Sequence, residues 1–119
     1  MYYVTVKSYF SAAHRLRNYN GNCENNHGHN WKVKVTAGFK KLDDNGMAFD
    51  FRELQNITDN ILDKLDHENL NRLPYFKEDN PSSENIAKYI FDAAKKFVPV
   101  TRVEVFETEK YCAAYSEES

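Results

Sequence analysis

Three of the four histidines, His14, His27 and His29, are spaced so that they could share one ion. His27 and His29 sit two residues apart in a run that alternates apolar and polar side chains. In a strand, that spacing points both imidazoles to the same face of the sheet. His14 ends an earlier alternating run, at the parity of Val4, Val6 and Phe10, the parity expected to be buried. An antiparallel neighbour would bring it beside the pair. Three neutral imidazoles on one wall suit zinc and leave a fourth position for water or substrate, the arrangement of a catalytic centre. Gly28, between two of them, permits close approach of the backbone. An H-x-H pair alone is also a common polar decoration of a strand, and the third histidine is what points to a metal. Cys23, four residues before His27, would close the site and make it structural if it were a fourth ligand. The C-x-x-C pairs of zinc fingers are absent.

Cys23 lies in a polar, Asn-rich stretch close to these histidines. A thiol beside a dication and imidazoles has a lowered pKa and is a candidate base or nucleophile. Asp66-His67 closes LDKLDHENL. A histidine at a helix C-terminus is stabilised in its charged form by the dipole, and a carboxylate beside it can also tune it for proton transfer. Adjacent residues need not touch, so both readings stand. Glu107, in VEVFET, shares parity with Val103 and Val105. A carboxylate on an apolar strand face is costly to bury unpaired, and a planar donor pair such as an amino-pyrimidinone edge would satisfy it bidentately. An exposed strand end is the simpler account. Cys112 has no such context and reads as structural.

The elements that must carry these residues follow from periodicity. Residues 2–13 alternate as a strand, with Tyr2, Val4, Val6, Phe10 and Ala12 on one side. Residues 17–26 read as a loop and 27–39 as a second strand. LDDNG turns the chain, with Asn45-Gly46 as the tight pair. Asp50 then opens a helix with the stripe Phe51, Leu54, Ile57, Ile61, Leu62 and Leu65, and Glu53 completes a capping box. Pro81 and Ser82 open a second helix with the stripe Ile86, Ile90, Ala93, Ala94 and Phe97. Strands follow at 102–108 and 111–115. The order β-β-α-α-β-β predicts an α+β fold, an antiparallel four-stranded sheet with both helices on one face.

A length of 119 residues gives one domain, 1–119, and 41% hydrophobic with 29% charged residues is ordinary for a globular chain. Sixteen basic against eighteen acidic residues leave a net charge of −2, which does not suggest nucleic acid as a partner. The apolar runs are too short to span a membrane, and MYYVTVKSYF does not resemble a secretory signal. Two cysteines indicate no disulfide framework, and a reducing, cytoplasmic setting is expected.

Taken together, FSAAHRL, CENNHGHNW, FDF, LDHENLN, PSSENIA and FET resemble the 6-pyruvoyl-tetrahydropterin synthase family over nearly the whole chain. The C-x-x-x-H-G-H spacing is similar to the bacterial branch, 6-carboxy-5,6,7,8-tetrahydropterin synthase of queuosine biosynthesis. Animal-type pyruvoyl synthases carry a longer gap there. The resemblance implies the tunnelling fold (T-fold), with trimers stacked into a homohexamer and active sites between subunits. It implies Zn2+ on His14, His27 and His29, Cys23 as catalytic thiol, Asp66 and His67 as proton relay, and Glu107 as the pterin anchor. The implied substrate is 7,8-dihydroneopterin triphosphate. Carbon–carbon cleavage with release of acetaldehyde marks the carboxy branch, and triphosphate elimination alone marks the pyruvoyl alternative. Trp31 stands where Tyr or Phe is more usual, and Glu24 follows Cys23 where some related subfamilies use a glutamate. Two other classes remain open: a zinc hydrolase acting without Cys23, and a zinc-stabilised binding domain.

Overall fold

The computed structural model describes residues 1–18 and 25–117. Two 13-residue strands, β1 (Tyr2–His14) and β2 (His27–Phe39), form the spine. They pair antiparallel along their whole length, with Phe10 opposite Trp31, Ala12 opposite His29 and His14 opposite His27. The alternation decides which way each side chain faces. Val4, Val6, Phe10, Ala12 and His14 are buried, while Tyr3, Thr5, Lys7 and Tyr9 are not. On β2, Trp31, Val33, Val35 and Ala37 continue the same buried face.

Helix α1 (Phe51–Asp63) starts at Asp50, whose carboxylate accepts from the Arg52 N–H at 2.8 Å. The expected capping box places this bond on Glu53; instead the Glu53 N–H donates to the Asp50 backbone carbonyl. Leu54, Thr58, Ile61 and Leu62 face the core, but Phe51 at the head of the expected stripe is exposed. Helix α2 (Ser83–Ala94) is capped by Ser82, whose hydroxyl accepts from Asn85 N–H. It buries Ile86, Ala87, Ile90, Phe91 and Ala94 and leaves Phe97 outside. Helix α1 packs on β1, and α2 on β4 (Val100–Phe106) and β5 (Cys112–Ser116). Both helices and the apolar strand face build one core cluster. In the turn after β2, the Asp43 carboxylate accepts from Asn45 and Met47 N–H, and Gly46 supplies the positive φ of 77° that closes it.

The sheet departs from the expected four antiparallel strands. It has five, in the order β3-β1-β2-β4-β5, and is mixed. The extra strand, β3 (Glu68–Asn69), lies parallel to β1, with Ala12 opposite Glu68 and Ala13 opposite Asn69. Two residues carry no periodicity, so nothing in the chain announces this strand. Its consequence is local: it draws the segment after α1 onto the end of β1 that carries His14.

Candidate metal and catalytic site

The register of β1 on β2 assembles the three histidines. His14 and His27 are cross-strand partners, and His29 is two residues along on the same face. The ring centroids of His14 and His27 are 4.7 Å apart, those of His27 and His29 4.8 Å, and those of His14 and His29 5.3 Å. Each pair meets edge to face. Glu107, just beyond β4, joins them from the neighbouring strand, and the ligand atoms of all four residues lie within 4.8 Å of one another. Trp31 floors the group. Fully buried, it donates from Nε1 to the Ala12 carbonyl at 3.2 Å, and its ring lies edge-on to His14 and His29.

The hydrogen bonds behind the rings fix their protons. His14 Nδ1 is 2.7 Å from the Pro81 carbonyl, and His27 Nδ1 is 2.9 Å from the Asn25 carbonyl. A carbonyl only accepts, so each Nδ1 carries a hydrogen, which in the neutral ring leaves Nε2 with its lone pair. His14 Nε2 and His29 Nε2 are buried without a hydrogen-bond partner. The Glu107 carboxylate approaches them to 3.9 and 3.0 Å, the shorter contact lacking hydrogen-bond alignment. Orphaned acceptors cost about 1–3 kcal/mol each when buried, and converging on one point they form a donor set for a cation. Imidazole whose far nitrogen is tied to a carbonyl is the usual state of a metal-ligating histidine. The residues present therefore fit a metal ion. Burial pushes the pKa of His14 below 6.5, and His27 and His29 push it further the same way, against the Pro81 carbonyl and Glu107. The ring thus stays neutral, as a ligand must.

Asp66 and His67 do not close α1, which ends at Asp63. They occupy the following turn, where His67 takes a φ of 59°. This left-handed step brings the adjacent side chains together, His67 Nε2 lying 3.5 Å from Asp66 Oδ2. Both are pinned to β1: Asp66 accepts from Ser11 N–H at 2.8 Å, and His67 N–H donates to the Ser11 carbonyl. The His67 ring is exposed and lines a groove of about 480 Å³ with Ser11, Gly28, His29 and Asn30. Among the described residues, no hydrogen bond or ion pair joins it to the metal-ligand cluster.

Cys23 and Glu24 lie outside the described residues. Cys112 is not a core residue; it is a free, exposed thiol on β5. Arg15 is exposed, its backbone held by the Asn71 amide. Sequence reasoning missed the carbonyls of Asn25 and Pro81, because a backbone acceptor has no side-chain signature.

This fold and site define an α+β scaffold carrying a cluster of side chains that could hold a metal ion, and comparison with known proteins narrows its class. Residues 3–118 match the family described as 6-pyruvoyl tetrahydropterin synthase, and the chain belongs to it. An Archaeoglobus fulgidus protein provisionally named 6-carboxy-5,6,7,8-tetrahydropterin synthase is 38% identical over 107 residues, covering 89% of this chain and 88% of that one. The 6-pyruvoyl tetrahydrobiopterin synthase of Poecilia reticulata is 35% identical over 130 residues, covering 95% and 88%. The solved structure of the Caenorhabditis elegans 6-pyruvoyl tetrahydropterin synthase superposes with a TM-score of 0.81 at 30% identity, covering 99% of this chain and 98% of that one.

Proposed function

We propose that this protein is a zinc-dependent 6-carboxy-5,6,7,8-tetrahydropterin synthase. It would convert 7,8-dihydroneopterin triphosphate with loss of triphosphate and acetaldehyde, a lyase reaction serving queuosine (7-deazapurine) biosynthesis in the cytoplasm. The observation that carries this reading is the cluster of three histidines, with the Nε2 atoms of His14 and His29 buried and unpartnered, in a chain whose family relatives are pterin synthases. The short C-x-x-x-H-G-H spacing supports the carboxy branch.

His14, His27 and His29 would hold the ion, which when bound would supply Lewis acidity at the substrate side chain. Cys23, four residues before His27, is the base that removes the adjacent carbon-bound proton. His67, oriented by Asp66 at 3.5 Å, exchanges a second proton with the substrate. Glu107, one-third exposed, presents a carboxylate to the same space and accepts the paired N–H donors of the pterin ring. Among the described residues, no hydrogen bond or ion pair ties His67 to the cluster, and a site completed between subunits would suit the relay. Open strand edges support a homohexamer: β5 ends the sheet, and β3 covers β1 only at Ala12 and Ala13.

The likeness to the fish enzyme favours a second reading, 6-pyruvoyl-tetrahydropterin synthesis. Incubation with 7,8-dihydroneopterin triphosphate and mass analysis separates the two. Acetaldehyde in stoichiometric yield supports the carboxy branch, and triphosphate without acetaldehyde supports the pyruvoyl one. Recovery of unchanged substrate from the zinc-loaded protein overturns both.

A further inference from the structure

Among the described residues, the Pro81 carbonyl is the hydrogen-bond partner of the His14 ring, and it belongs to no regular element. Pro81 lies between a 3₁₀ turn (Pro74–Phe76) and α2, outside any strand or helix. Proline has no N–H, so it cannot anchor itself by a backbone bond of its own. The anchoring falls to its neighbour. The Asn80 amide oxygen accepts from Arg17 N–H at 2.9 Å and from Arg17 Nε at 3.2 Å, and its amide nitrogen donates to the Arg17 carbonyl at 3.0 Å. The Arg17 guanidinium also donates from Nη2 to the carbonyls of Phe76 and Asp79. On the far side, the Asn85 amide donates to the Asn80 carbonyl at 2.8 Å.

These contacts close a circuit. The chain runs from His14 to Arg17, crosses to Asn80, steps to Pro81 and returns through its carbonyl to the His14 ring. We propose that Asn80 and Arg17 are positioning residues for the metal-binding imidazole, acting through the Pro81 carbonyl. The proposal rests on the three histidines being metal ligands. A small displacement of the carbonyl turns the buried ring and swings Nε2 away from the point it shares with His27 and His29. Asn71 provides an internal comparison. Its amide grips Arg15 in the same reciprocal way, at 2.8 and 3.0 Å, but among the described residues it makes no hydrogen bond to Asn80 or Pro81. Loss of Asn71 loosens the chain beside His14 and leaves the carbonyl where it is.

The test is a cobalt(II) titration of the full chain, read by the visible d–d absorption of the bound ion. Asn80→Ala should weaken cobalt binding roughly 10–100-fold, the usual effect of removing an outer-shell partner, and change the band shape. Arg17→Lys keeps the charge but loses the planar fork, and should move the band in the same direction. Asn71→Ala should leave affinity and band unchanged. Wild-type affinity and spectrum in Asn80→Ala overturn the positioning role, as does an equal loss in Asn71→Ala. If near-ultraviolet circular dichroism shows Asn80→Ala to be misfolded, Arg17→Lys decides alone, and an unaltered band in it overturns the proposal. Failure of the wild-type chain to take up cobalt would sink the three-histidine reading itself, and the positioning role with it.

Discussion

A site built from orphaned acceptors should reveal itself as stability gained on loading. The perturbation is addition of zinc to chelator-stripped protein. An ion that binds only the folded state adds RT ln(1 + [L]/Kd), about 2.7 kcal/mol at a hundredfold excess over Kd. Unfolding entropy near 2.1 cal/mol/K per residue, over 119 residues, gives about 0.25 kcal/mol/K, so Tm should rise by about 11 °C. The assay is differential scanning calorimetry at matched protein concentration, with and without metal. His29→Ala removes one buried, unpaired Nε2 and should abolish most of the shift while the metal-free protein still unfolds cooperatively. Coincident transitions in wild-type protein with and without zinc would refute the reasoning, as would a full shift surviving in His29→Ala.

Cys23→Ala should end turnover while one zinc per chain remains bound, measured by atomic absorption; loss of the zinc would make Cys23 a ligand rather than the base. Trp31→Ala empties a fully buried site beneath the histidines and should cost about 3–5 kcal/mol in urea unfolding; a loss below 1 kcal/mol would contradict its place as the floor. Metal-free protein should lose stability in acid through His14. Its folded pKa is depressed below 6.5 by burial, so beneath pH 6.5 the unfolded chain takes up a proton that the folded chain refuses, and stability decreases as the pH is lowered. Above 6.5 both states are neutral and the contribution vanishes. The urea midpoint of His14→Gln should therefore be flatter with pH than that of wild type, and parallel profiles would count against the assignment.

The long elements were legible because many residues vote for the same period. Thirteen alternating positions define each of β1 and β2, and the same parity that buries Val4, Val6 and Phe10 carries His14 to the correct face. Convergence of the histidines then required only antiparallel pairing, which the structure supplies residue by residue. Short or backbone-borne features were not legible. Strand β3 is two residues long, and its pairing depends on a tertiary meeting with Ala12 and Ala13. Asp66 and His67 read as the end of a helix because LDKLDHENL keeps its apolar stripe past Asp63. The left-handed turn at His67, fixed by bonds to distant Ser11, breaks the helix first. Glu107 was legible as a carboxylate on an apolar face, but its 3.0 Å approach to His29 is a product of sheet register.

The chain has a single tryptophan, and its ring centroid lies 4.9 Å from that of His14 and 5.3 Å from that of His29. Indole emission responds to the protonation or metal ligation of an imidazole beside it. The protein thus carries its own optical gauge of whether the histidine cluster takes up an ion, one that needs no label and only ultraviolet excitation.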